Sequence, residues 1–210
     1  SGGFRWDYFA ADYANSVNGQ AFSRIDEMPS WRGAVVYKPV HNGSLYFDYG
    51  TSFNPSAETL SLSAANANTA PEANETFEFG TKWDFFGEKL SARAAMFRTD
   101  KTNAREPDPS NPLQNILSGE QRVDGVEVEM SGRITDRWKV FAGYAHLDGR
   151  LVGSISFPKA IGSQLANVPK HTFSLWTSIE LPGHFEIGGG GRYVGSRTAS
   201  STVPLDPATG

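Results

Sequence analysis

Hydrophobic and polar positions alternate through most of this chain, and the cleanest run is Gly119 to Asp148. Val126, Val128, Met130, Gly132 and Ile134 share one parity; Gly125, Glu127, Glu129, Ser131 and Arg133 share the other. Successive side chains of a strand point to opposite faces, so this run predicts one apolar and one charged face. The chain turns at Thr135-Asp136-Arg137. It resumes with Trp138, Val140, Ala142 and Tyr144 opposite Lys139, Phe141, Gly143 and Ala145. Two alternating runs around a tight turn make an antiparallel hairpin. Each run is roughly 9–11 residues, the length a tilted strand needs to cross a bilayer, against about 5–6 for an ordinary strand. Val126, Val128, Met130 and Ile134 are expected to meet lipid, with Glu127, Glu129 and Arg133 facing an aqueous lumen.

The same unit recurs along the chain. Alternating runs at 4–10, 31–38, 45–53, 77–85, 90–97, 173–180 and 185–193 bring the expectation to about nine strands. Short turns are expected at 39–43, 86–89, 135–137 and 182–184, and long polar loops at 14–30, 54–74, 101–120 and 149–169. Charges inside the strands fall on one parity. Aromatic residues gather near strand ends: Tyr37, Trp83, Phe85 and Trp138 beside short turns, Trp31, Phe53, Phe77, Tyr144 and Tyr193 beside long loops. An apolar band, two aromatic girdles and loops that are long on one side only describe an antiparallel transmembrane β-barrel. A soluble β-sandwich shares the alternation but explains neither the strand length nor the one-sided loops. Trp176 breaks the pattern by standing on the polar parity. It either packs inside the barrel or marks a bulge.

Composition adds limits. The 210 residues carry a net charge of -4 and no cysteine, which excludes disulfides and thiolate metal sites. No basic stripe suggests nucleic acid. Mean hydropathy is -0.40, a value that lumen-facing polar residues also produce in membrane barrels. No apolar run approaches the roughly 18 residues of a membrane helix. Ser1-Gly2-Gly3 leads directly into a strand pattern without a basic and apolar leader, so the chain reads as either cytoplasmic or an internal piece.

Candidate chemistry is sparse. Glu78, Asp84, Glu127 and Glu129 with Lys82, Arg93 and Arg133 read as a hydrated lumen wall, and no nucleophile, base and orienter can be assembled from them. No catalytic residue and no enzyme activity are expected. His41, His146, His171 and His184 lack metal-ligand spacing. Gly188 to Gly191 lacks the Lys-Ser/Thr and helix of a phosphate loop, and reads as a bend or close approach in a strand.

Several segments carry a family resemblance. They are Ser52-Phe53-Asn54-Pro55-Ser56-Ala57-Glu58, Pro71-Glu72, Glu78-Phe79-Gly80-Thr81-Lys82-Trp83, Phe97 to Arg105, Gly119 to Glu127, Asn167 to Thr177 and Gly191 to Arg197. In order and spacing they resemble the TonB-dependent siderophore receptors, and among these the catecholate receptors. The resemblance implies a barrel of about 22 strands with a plugged lumen, in the outer membrane of a Gram-negative bacterium. It implies import of a ferric siderophore driven by the TonB-ExbB-ExbD complex, with outer-membrane lipid and lipopolysaccharide around the barrel. Iron would arrive fully ligated, so no protein-held cofactor is expected. Residues 1–210 then read as a partial barrel domain, with plug and terminal strands outside it. A ferric tris-catecholate is anionic and aromatic and attracts cations with aromatic neighbours. Arg98, Lys101, Arg105 and Arg122, flanking one long loop, and Phe157 and Lys159 in the next, are the candidate contacts. A passive porin or adhesin barrel, or a soluble sandwich binding module, are the alternatives.

Overall fold

The computed structural model describes residues 1–16, 19–55, 70–111 and 115–201. These form one nine-stranded antiparallel sheet in which each strand pairs with its neighbour in sequence. The strands are β1 (Gly2–Ala14), β2 (Ala21–Val40), β3 (Gly43–Asn54), β4 (Glu72–Phe85), β5 (Leu90–Pro107), β6 (Asn115–Arg133), β7 (Trp138–Gly153), β8 (His171–Leu181) and β9 (Phe185–Val194). The strand ends joined through 41–42, 86–89, 134–137 and 182–184 lie at one end of the sheet; those joined through 15–20, 55–71, 108–114 and 154–170 lie at the other. The expected division into short and long sides therefore holds.

Strands are longer than the alternation foretells, by one or two residues at the short-turn end and by much more at the long-connection end. Residues 21–30, expected within a loop, form the first half of β2 and pair from Ala14↔Ala21 to Arg5↔Ser30. Likewise β5 and β6 continue their ladder to Pro107↔Asn115, through most of the expected 101–120 loop. β7 runs on to Gly153. Beyond the apolar band both faces of a strand carry polar residues, so hydrophobic periodicity vanishes while backbone pairing continues. Arg98, Lys101, Arg105 and Arg122 are consequently strand residues, not loop residues. Ile134 belongs to the turn after β6, outside the ladder.

Register fixes the faces. Val126, Val128 and Met130 of β6 stand opposite His146, Tyr144 and Ala142 of β7, and opposite Met96, Ala94 and Ala92 of β5. The apolar parity extends through Phe79 and Phe47 to Val35. Glu127 and Glu129 share the other face with Arg93, Phe141 and Trp176. The ladders on either side of β8 contain no register shift, so no bulge moves Trp176. It lies between Phe141 and Gly190 on the polar face. A Cβ at Gly190 would stand 2.2 Å from the Leu175 carbonyl oxygen and 3.0 Å from the indole. The glycine is what lets the backbone and the tryptophan approach so closely.

The described residues bury little. The one compact apolar cluster joins Leu151, Ala160 and Leu165 with Val123, Phe157 and Val168. It exists because residues 154–170 fold back over β6 and β7 on the polar-parity side: Leu151 and Gly149 pair with Gln121 and Val123. Leu165 N–H donates to the Gly149 carbonyl at 2.9 Å and Gly162 N–H to that of Leu151 at 2.7 Å. Full burial of each leucine is worth about 1.5–3 kcal/mol, enough to hold a short lobe against the sheet.

Candidate functional site

Three groups of side chains occupy distinct zones of the sheet. The first lines the polar face within the span of the apolar band. Arg32 meets Asp48 at 3.0 Å, Arg93 meets Glu129 at 3.1 Å and Lys139 meets Glu186 at 3.1 Å. The Tyr46 hydroxyl donates to Glu78 at 2.6 Å, and the Ser91 hydroxyl to Asp84. These are half-exposed partners in a wet wall.

The second group stands above the band at the long-connection end. Glu72 accepts Lys101 Nζ at 2.6 Å and the Arg105 backbone N–H at 3.1 Å. Arg105 Nη2 donates to the Pro55 carbonyl at 3.1 Å, reaching from β5 past β4 to the end of β3. Burial alone would raise the Glu72 carboxyl, but Lys101 and the Arg105 N–H outweigh it and hold it below the ordinary glutamate range. One strand further along, buried Glu106 accepts the Ser118 hydroxyl at 2.7 Å and the Ser156 N–H at 3.3 Å. Its pKa is likewise lowered: the burial penalty is outweighed by hydrogen bonds from Ser154, Ser118 and the Ser156 and Ile155 backbone. The Ser156 hydroxyl also donates to the Pro107 carbonyl. Glu106 thus clasps the 154–170 lobe to β5 across β6. Phe157 packs in the lobe's apolar cluster, and Lys159 is exposed on its 3-10 turn, Pro158–Ala160.

The third group is on the apolar parity, just above the band. Arg98, Asp124 and Asp148 stand in register across β5, β6 and β7, with Asp100, Arg122 and Arg150 in the next row. Arg98 pairs with Asp124 at 2.7 Å, Arg122 with Asp100 at 2.6 Å and Arg150 with Asp148 at 2.8 Å. The six sequence candidates are therefore not one cluster. Lys101 and Arg105 gather at Glu72, Phe157 and Lys159 ride the lobe, and Arg98 and Arg122 point to the opposite face. Sequence reasoning held Glu72 only within the Pro71-Glu72 resemblance, without a role, and missed Glu106. Its hydrogen-bond partners Ser118 and Ser156 stand 12 and 50 residues away in sequence.

Residues 1–209 match the family model described as TonB dependent receptor-like, beta-barrel. The chain belongs to the TonB-dependent receptor family. It is 33% identical to the probable TonB-dependent siderophore receptor PiuA of Acinetobacter baumannii over 91% of this chain and 28% of that protein. It is 30% identical to the catecholate siderophore receptor Fiu of Escherichia coli K12, over 83% of this chain and 24% of that protein. The crystal structure of PiuA superposes with a TM-score of 0.85 at 32% identity, covering 92% of this chain and 30% of that one. A closed-form structure of Fiu gives 0.77 at 26% identity, covering 93% and 32%. The chain thus spans about a quarter to a third of the length of these two relatives. Receptors of this family reside in the Gram-negative outer membrane. The apolar parity is accordingly the lipid face, the polar parity the lumen face, and the long-connection end the outer side.

Proposed function

We propose that this chain forms part of the wall of a receptor that imports ferric siderophores of the catecholate type, energised through TonB. What supports the reading is similarity to two siderophore receptors over nearly the whole chain, one of them named for catecholates. Receptors of this family are transporters rather than enzymes.

Within that reading, cargo contacts belong on the lumen side of the outer end. Lys101 and Arg105, with exposed Lys159 on the lobe, are the cations placed there. Phe157 acts through the shape of the lobe. Arg98 and Arg122, on the lipid face, are set aside as cargo contacts. The test is growth of iron-starved cells whose only siderophore receptor contains this chain. A ferric tris-catecholate should restore growth and a ferric hydroxamate should not, and deletion of TonB should abolish the effect. Uptake that persists without TonB would make the barrel a passive porin. Equal growth on both chelates would remove the catecholate assignment.

A further inference from the structure

Sequence spacing gives no metal motif among the histidines, but register brings two of them together. His146 of β7 and His171 of β8 are partners on the last paired rung of their ladder. Just beyond it the Leu147 N–H donates to the Lys170 carbonyl at 2.9 Å. The histidine rung is therefore one of the non-hydrogen-bonded pairs of the ladder, in which facing side chains come closest. The two ring centroids stand 4.7 Å apart, with the planes tilted by 36°. We propose that His146 and His171 form an open two-histidine site for a divalent transition metal that favours imidazole, such as Zn²⁺ or Cu²⁺.

Each ring has a nitrogen to give. His146 Nδ1 is buried and makes no hydrogen bond. Buried polar atoms are nearly always paired, and a bound ion is one partner that resolves an exception. His171 is held as a ligating histidine is held. Its Nδ1 lies 3.0 Å from the Tyr144 hydroxyl. In the tautomer that donates Nδ1–H to that oxygen, Nε2 keeps the lone pair a metal needs, and such a second contact is what orients metal-bound imidazoles. Position adds access. The rung is in register with Val126 at the top of the apolar parity, and the next row outward carries Asp124 and Asp148. An ion therefore arrives from the outer aqueous side without crossing hydrocarbon. Asp148 is engaged by Arg150 at 2.8 Å, and among the described residues no group of three or more histidines and carboxylates could hold a metal. Water completes the coordination, so the ion exchanges freely, unlike one in a closed four-ligand structural site. His146 precedes the 154–170 lobe and His171 follows it, so the ion clips the two stems together where their ladder ends. This inference rests on the register of β7 and β8 and not on the nature of the cargo.

The test uses the intact receptor containing this chain, untagged and in mild detergent, titrated calorimetrically with Zn²⁺. One saturable equivalent of Zn²⁺ should disappear in His146→Ala and in His171→Ala. Tyr144→Phe should keep that equivalent and weaken it about tenfold, because the acceptor that orients His171 is gone. His184→Ala, at a short turn, should leave it unchanged. Cu²⁺ gives an independent readout. At one equivalent, electron paramagnetic resonance should show two imidazole nitrogens per copper in wild type and one in either single variant. A heat-modifiability gel confirms barrel assembly for each variant. Should an alanine variant fail to assemble, the more conservative His171→Gln decides. Zn²⁺ binding that is unchanged in the histidine variants, or a single nitrogen in the wild-type copper spectrum, would overturn the site. So would displacement of Zn²⁺ by excess Ca²⁺, since an oxygen-seeking ion competes only for carboxylates.

Discussion

Val128 and Glu129 are consecutive residues of β6, and both are about half exposed, Val128 at 46% and the Glu129 side chain at 52%. They stand on opposite faces of one sheet. Val128 lies between Ala94 and Tyr144 in a sheet-wide apolar row; Glu129 lies beside Arg93 and Gly143. Equal exposure therefore hides two different solvents. On one face the missing neighbour is lipid, which cannot hydrate charge. On the other it is water or protein, which can satisfy either a carboxylate or an amide. In a sheet that buries so little, stability depends on what each face meets.

The largest expected effect breaks the lipid face. Val128→Arg near the membrane midplane should cost the assembled receptor about 2–4 kcal/mol. Urea unfolding in lipid vesicles measures it. A cost near zero would mean that the faces are inverted.

The tetraglycine of β9 sharpens the same comparison without introducing charge. Gly190 faces the lumen under Trp176, and Gly191 faces lipid opposite Leu175. A Cβ at Gly190 would collide with the Leu175 carbonyl, whereas one at Gly191 meets nothing within 4 Å. Gly190→Ala should cost about 1–3 kcal/mol as overpacking. Gly191→Ala should be neutral or slightly stabilising, because alanine loses less backbone freedom than glycine. The same unfolding assay separates them.

These residues also show what sequence alone could reveal. The β6–β7 hairpin was legible because lipid on one side and water on the other impose strict alternation. Trp176 was legible only as an exception, since its partner Gly190 is known only from register. The upper halves of β2, β5 and β6 were read as loops because both faces there are polar. Arg98 and Arg122 lost their place for that reason. Sequence spacing grouped them with Lys101 and Arg105, but register sends them to the other face. Glu72 carried a family resemblance in Pro71-Glu72 but, like Glu106, no legible role, because their partners come from other strands and from the lobe.

Next in size is the Glu106 clasp. Its carboxyl titrates below the ordinary glutamate value of 4.5. A group with a lowered native pKa stabilises fully above its unfolded pKa, and that contribution disappears as pH falls through the native value. The lobe should stay protected from amide exchange at neutral pH and lose protection selectively on acidification below about pH 4.5. Glu106→Gln should produce the same local loss at neutral pH, about 1.5 kcal/mol for a hydrogen bond to a charged group. Exchange mass spectrometry on residues 154–170 reads both. Unchanged protection in the variant would assign the lobe wholly to its Leu151-Leu165 cluster.

The smallest effect belongs to Glu129, the residue beside Val128. Its ion pair with Arg93 spans 3.1 Å, and the two side chains remain 52% and 37% exposed. An exposed pair of this kind contributes about 0–1 kcal/mol. Arg93 also has Glu127 within 3.9 Å, so loss of one carboxylate leaves it another partner. Glu129→Gln should therefore shift the unfolding free energy by less than about 1 kcal/mol, and raised salt should shrink even that. The ratio of the two substitutions matters more than either alone, because detergent, lipid and urea conditions cancel within a matched pair. Should Glu129→Gln prove as costly as Val128→Arg, Glu129 would have to be engaged by a further element pressed against the lumen wall, where its charge is shielded from water and salt. Insensitivity of that cost to salt would distinguish such a contact from an inverted face.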